Sequence, residues 1–104
     1  MSKRHDTINK AFTANGNQTY DVRGYSDAYI VITEDGTWAG TVEGAVTESG
    51  TFIGLYEKYS VTAIGSVTAN DAAQVDLRGV GYLKLTATET SGASLTFDIG
   101  LYEE

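Results

Sequence analysis

The sequence predicts an all-β protein, an antiparallel β-sandwich of jelly-roll or immunoglobulin-like size with an internal pseudo-two-fold, and three observations predict it. The first is repetition. Phe12-Thr13-Ala14-Asn15, followed by Tyr20-Asp21-Val22-Arg23-Gly24, recurs at one constant offset as Val67-Thr68-Ala69-Asn70, followed by Val75-Asp76-Leu77-Arg78-Gly79. Tyr29-Ile30-Val31-Ile32-Thr33 is echoed by Tyr82-Leu83-Lys84-Leu85-Thr86, on an alignment in which the second copy has shed two residues of the Tyr25-Ser26-Asp27 turn. Two copies of one supersecondary unit bury their apolar faces against each other because neither can do so alone. Residues 12–33 are therefore expected to pack against 67–86. The second observation is a period of two: Leu95, Phe97, Ile99 and Leu101 alternate with Thr96, Asp98, Gly100 and Tyr102, as in a half-buried strand. The third is turn chemistry. With 12 glycines and no proline, chain reversals rest on Gly, Asn and Asp, which suits a meander of hairpins.

Taken in order, residues 1–10 show no sustained periodicity and are read as a flexible basic arm, with the β domain spanning 11–104. Strands are expected at about 11–15, 18–23, 28–34, 37–47, 51–57, 60–64, 66–69 and 74–78, then around Leu83, Leu85 and Ala87, and finally over Leu95 to Leu101. Asp35-Gly36 is the best tight-turn candidate, because both residues tolerate the positive φ of primed hairpin turns. Ser49-Gly50 is a second, and Thr90-Ser91-Gly92 reads as a hairpin connection between the last two strands. No helix longer than a turn is expected, since β-branched and aromatic residues dominate and alternation outcompetes a 3.6 spacing. The predicted core comprises Val22, Ile30, Ile32, Val42, Leu77, Leu83, Leu85, Leu95, Phe97 and Ile99.

A chain of 104 residues fits one domain with one modest core. Its 41% apolar and 20% charged content is ordinary for a folded globular protein. No apolar run approaches the ~20 residues of a membrane helix, and Met1-Ser2-Lys3-Arg4-His5-Asp6 leads into polar sequence rather than a signal-peptide core. No membrane partner is expected. The absence of cysteine excludes disulfides and thiolate metal sites, and small domains without them commonly gain stability by oligomerising. Lys3, Arg4 and Lys10 against Asp6 give residues 1–10 a charge of +2, leaving −9 of the net −7 on the rest. An acidic body repels phosphate backbones, so nucleic acid is not expected as a partner.

The facing of the repeat singles out one surface. With Ile30 and Ile32 inward like Leu83 and Leu85, Val31 points outward where its counterpart on this alignment is Lys84. Val31 and Tyr29 then form a candidate contact surface. The apolar run from Ala28 to Ile32 also reads as a strand covered on both faces, by a loop or by the arm.

No constellation for catalysis emerges. His5 is the only histidine and lies in the arm, where nothing holds the geometry a triad or metal site requires. Asp21 with Arg23 and Asp76 with Arg78 share a strand face in each half and read as duplicated structural ion pairs or turn anchors. Glu34, Asp35, Glu43 and Glu48 match neither a calcium loop nor a glycosidase pair set in a cleft, and read as a solvated acidic face. Trp38 and Tyr56 have two readings, a sugar-stacking platform or core and interface aromatics. Phosphate-loop and nucleophile-elbow motifs are absent, so a short repetitive chain with no pocket-building insertion is expected not to be an enzyme and to need no cofactor.

Thr37-Trp38-Ala39-Gly40-Thr41-Val42-Glu43, Ser49-Gly50-Thr51-Phe52 and Asp76-Leu77-Arg78-Gly79-Val80-Gly81-Tyr82-Leu83-Lys84-Leu85 together resemble small β-sandwich structural proteins of tailed bacteriophages, over most of residues 11–102. The resemblance implies a virion accessory protein, of the kind that looks like an oligomer, often a trimer, and strengthens an assembled capsid. The implied function is that of a decoration or cement protein on the outer surface of the major capsid protein shell, made in the host cytoplasm and located on the virion. Multivalency over a repeating shell lets modest affinities sum. On this reading Lys3, Arg4 and Lys10 order against a neighbouring subunit or the capsid, and Tyr29 and Val31 lie at a contact. Two other readings remain open: a carbohydrate-binding module of a phage tail or adhesin, and a small hydrolase using Glu/Asp pairs.

Overall fold

The computed structural model describes residues 5–56, 63–64, 66–67 and 71–103. Lys3 and Arg4 lie outside the described residues. Among the described residues, eight strands follow in order: β1 (His5–Phe12), β2 (Gly16–Asp21), β3 (Asp27–Ala45), β4 (Ile53–Tyr56), β5 (Ala63–Ile64), β6 (Ser66–Val67), β7 (Asp71–Asp76) and β8 (Tyr82–Tyr102). Every pairing is antiparallel. The sheet path is β1-β8-β3-β4-β5, with β2 also on β8 and both β6 and β7 on β3, and the sheet curls as a half-barrel.

The organising element is one long ribbon. β3, of 19 residues, and β8, of 21, pair from Asp27 opposite Tyr102 to Ala45 opposite Tyr82. Two expected reversals are therefore corrected: neither Asp35-Gly36 nor Thr90-Ser91-Gly92 turns the chain back. Gly36 and Gly92 do adopt positive φ, 109° and 119°, but they spend it on a bulged bend, with register shifts at Asp35/Gly36 and Thr37/Trp38. Each strand continues past its bend because the other is bent at the same place and their pairing resumes beyond it. The Ser49-Gly50 region does form a turn, closed by Gly50 N donating to Thr47 O at 3.1 Å.

Short strands flank the two ends of the ribbon. β1 pairs with Leu95–Tyr102 of β8, and β7 with Asp27–Ile32 of β3. Toward the other end, β2 pairs with Tyr82–Ala87, while β4 and β6 pair with the later part of β3. Hydrogen bonds between the two turns obey one step along the chain: Val22 N donates to Gly81 O at 2.9 Å and Leu77 N to Ser26 O at 2.8 Å, and 77 minus 22 equals 81 minus 26. The same step of 55 relates Asp21 opposite Tyr82 to Asp76 opposite Asp27. At the bend, Asp35 to Trp38 on β3 spans Ser94 to Glu89 on β8.

Residues 5–10 are corrected from arm to strand. His5 through Phe12 pair in unbroken register with Tyr102 through Leu95. Ile8 and Phe12 pack on the core, but Asp6 and Lys10 occupy the same row and hide its periodicity. Pairing with β8 supplies the order that the local pattern does not advertise.

All ten predicted core residues are buried, joined by Phe12, Ala28, Trp38, Val75, Ala87 and Leu101. Phe12 meets Phe97 edge to face, with centroids 5.8 Å apart and planes at 83°, a geometry that adds about 0.5–1.5 kcal/mol beyond burial. Tyr20 packs against the edge of this cluster, and desolvation raises its pKa above the ordinary 10.0. A phenol whose pKa is higher folded than unfolded stabilises the protein below its unfolded pKa and loses that contribution as pH rises through the folded value. Tyr20→Phe is accordingly expected to flatten the alkaline decline of stability above about pH 10, measured as urea midpoint against pH; an unchanged decline would contradict the assignment.

Candidate functional site

Residues directly opposite in antiparallel strands share a face, so the registers of β1, β8, β3 and β7 define rows across the outer side of the sheet. One row is His5, Tyr102, Asp27 and Asp76; the next is Thr7, Gly100, Tyr29 and Gln74; the third is Asn9, Asp98, Val31 and Ala72. The inner rows on the same strands carry Ile30, Ile32, Phe97 and Ile99, all buried. Alternation therefore separates a core side from an aromatic outer side within one layer.

The outer side has a defined centre. Tyr29 is 49% exposed and Tyr102 42%, and Val31 is half-exposed. Tyr102 lays its ring along its own strand over Gly100, where an added Cβ would meet the phenol oxygen at 2.9 Å and a ring carbon at 3.1 Å. Gly100 thus opens the space that Tyr102 fills, directly opposite Tyr29. The His5 ring stacks on Tyr102 with centroids 4.5 Å apart and planes 6° from parallel. In the next rows the Asn9 side-chain amide donates to the Asp98 carboxylate. On the inner side of β1, the Tyr25 hydroxyl donates to Asp6.

Of the residues expected at an interface, Tyr29 and Val31 come together on this face, which corrects the reading of Ala28–Ile32 as covered on both sides. Lys10 does not join them. It lies opposite Phe97 on the inner row of β1, half-buried, its ammonium 5.2 Å from the Phe12 ring centroid. Sequence reasoning missed His5, Tyr102 and Gly100 as members. The alternation of the last strand already set Tyr102 off the core side, but only the β1–β8–β3 pairing brings it next to His5 and Tyr29.

The sugar-platform reading of Trp38 is corrected: it is 1% exposed and belongs to the core. Its backbone N donates to the Glu34 carboxylate at 3.0 Å, while its buried indole Nε1 has no hydrogen-bond partner among the described residues. The side chain of Tyr56 lies outside the described residues.

The duplicated ion pairs form twice over in the same way. Asp21 accepts from Arg23 N at 3.0 Å and from its guanidinium at 2.6 Å; Asp76 accepts from Arg78 N at 3.0 Å and from its guanidinium at 2.7 Å. The hydrogen bond and charge of Asp21 hold Arg23 well above its ordinary pKa. Both pairs brace the turns that exchange the Val22 and Leu77 hydrogen bonds. Among the described residues, no group of three acidic or histidine side chains is arranged to hold a metal ion.

No known family matches the chain, and no curated protein matches it in sequence. The fold does match solved structures. SPBc2 prophage-derived protein YomS superposes with a TM-score of 0.80 at 12% identity, covering 99% of this chain and 96% of that one. PBSX exported protein XepA gives 0.71 at 13% identity over 99% of this chain, which spans 40% of that longer protein. IMPa from Pseudomonas aeruginosa, solved with an O-glycopeptide, gives 0.50 at 13% identity, over 97% of this chain and 13% of that one. At these identities the likeness is one of fold, and the first two of these folds are phage-derived.

Proposed function

We propose that this chain is a phage virion-associated structural protein that works by docking and not by catalysis. The observation that carries the reading is the outer face centred on Tyr29, Tyr102 and Val31, set on a layer whose other side is core. Aromatic side chains that offer broad area with a polar tip are the usual anchors of protein interfaces. The shared fold of the two phage-derived structures supports the setting. The finer reading is a capsid decoration or cement protein whose outer face seats on the major capsid protein, with Lys3 and Arg4 adding attraction at the encounter. Such attraction between exposed charges is screened over roughly 8 Å at physiological salt. In the same reading the chain is a duplicated unit closed as a sandwich about a pseudo-two-fold, the axis running through the Gly36–Gly92 crossing.

Particles lacking the protein, titrated with purified chain, test the reading. Tyr29→Ala is expected to weaken occupancy about 30-fold, the loss of ~2 kcal/mol typical of a central aromatic anchor. Val31→Lys adds a charge to the same contact, yet lies at an outward position and leaves stability within ~0.5 kcal/mol. Undiminished occupancy by both folded variants would remove this face from the contact.

A carbohydrate reading is favoured by one observation, the stacked His5–Tyr102 pair beside the Asn9–Asp98 amide and carboxylate. Glycan-array binding abolished by Tyr102→Ala would favour it over protein docking.

A further inference from the structure

β1 stands at the end of the sheet path, and β8 is its only partner among the described residues. It is eight residues long, without proline or bulge, in continuous register from His5 to Phe12. Such an edge presents a row of backbone donors and acceptors that template another strand. We propose that its partner is β1 of a second copy, paired antiparallel about a two-fold axis through Ile8.

The side chains select that register. Antiparallel pairing keeps core side with core side only when residues of matching parity face each other. Centred on Ile8, it sets Asp6 opposite Lys10 of the second copy, Lys10 opposite Asp6, and Ile8 opposite Ile8, all on the inner side. Thr7 then faces Asn9 and His5 faces Ala11 on the outer side. Moving the centre to Thr7 or Asn9 sets a charged residue opposite Ile8 instead. The chosen register is the one that sets Asp6, which also accepts from the Tyr25 hydroxyl, opposite the Lys10 ammonium, and opposite charges directly across a strand pair are favourable. Asp6 is exposed, and the ammonium of Lys10 rests over Phe12 beside the open edge, so both are within reach of an added strand.

The contact is isologous and closes as a dimer, in place of the trimer implied by the phage resemblance. Its axis is perpendicular to the sheet, so both outer faces point the same way and the dimer offers two Tyr29–Tyr102 patches to one surface. The dimer stands independently of what that surface is.

Sedimentation equilibrium on the full chain is expected to show a dimer. Lys10→Asp or Asp6→Lys alone places like charges opposite each other twice and is expected to weaken dimerisation about tenfold or more; the Asp6→Lys/Lys10→Asp double variant restores it. Because neither substitution need leave the fold intact, a second measurement uses the absence of native cysteine. Under mild oxidation Ile8→Cys should give a covalent dimer, whereas Ala11→Cys should not, its copies lying ~20 Å apart across the axis at about 3.4 Å per residue. A monomeric wild type, a dimer that Ile8→Cys fails to cross-link, or tighter self-association on Lys10→Thr would overturn the proposal. The last outcome would make Lys10 a guard against edge pairing.

Discussion

Gly36→Ala and Gly92→Ala are each expected to destabilise the fold by about 2–6 kcal/mol, a large fraction of the total stability of a small domain. The two glycines face each other where β3 and β8 bend together. A Cβ on Gly36 would overlap the Gly92 Cα and the Ser91 carbonyl oxygen, and one on Gly92 would overlap the Gly36 Cα and the Asp35 carbonyl oxygen. These are backbone atoms, which cannot rotate away as a side chain can. Both residues also hold φ near +110°, at 109° and 119°, where any β-carbon is strained. Gly79→Ala separates the two causes, since Gly79 has φ 85° but, among the described residues, nothing within 4 Å of an added Cβ. It should cost only about 1–2 kcal/mol. Urea midpoints of the three variants measure the difference; equal losses would mean that the crossing is not tightly packed.

Phe97→Ala is expected to cost about 3–5 kcal/mol through lost transfer energy and a cavity. Phe97 is fully buried, meets Phe12 edge to face, and lies close enough to Gly40 that an added Cβ there would contact its ring at 3.1 Å. That contact predicts coupling between the two positions. Gly40→Ala should be destabilising in the native background and less so once Phe97 is Ala, because the ring contact is gone while the Leu95 Cδ2 contact, also at 3.1 Å, remains. Strict additivity of the two losses would contradict the packing described.

The core was legible because burial follows alternation, and alternation needs no knowledge of partners: Leu83, Leu85, Leu95, Phe97 and Ile99 declare their side by period two alone. The Asp-x-Arg-Gly turns were legible because the same side-chain chemistry occurs twice. Continuity of β3 and β8 was not. Asp35-Gly36 and Thr90-Ser91-Gly92 carry the residues of a reversal, and positive φ at one glycine serves a bend as well as a hairpin. Which one forms depends on a partner strand more than fifty residues away. β1 was hidden for a related reason, since Lys10 and Asp6 interrupt its inner row and only pairing with β8 gives that row a side. The candidate face was half legible: Tyr29 and Val31 follow from the inward Ile30 and Ile32, whereas His5 and Tyr102, from opposite ends of the chain, meet only through the register.

The docking reading is tested most directly by cryo-microscopy of the parent particle. The account predicts the chain in regular copies on the outside of the shell, with the β1–β8–β3–β7 face and its Tyr29 and Tyr102 buried against the shell protein. Purified particles devoid of the chain, or copies seated with that face turned to solvent, would contradict it.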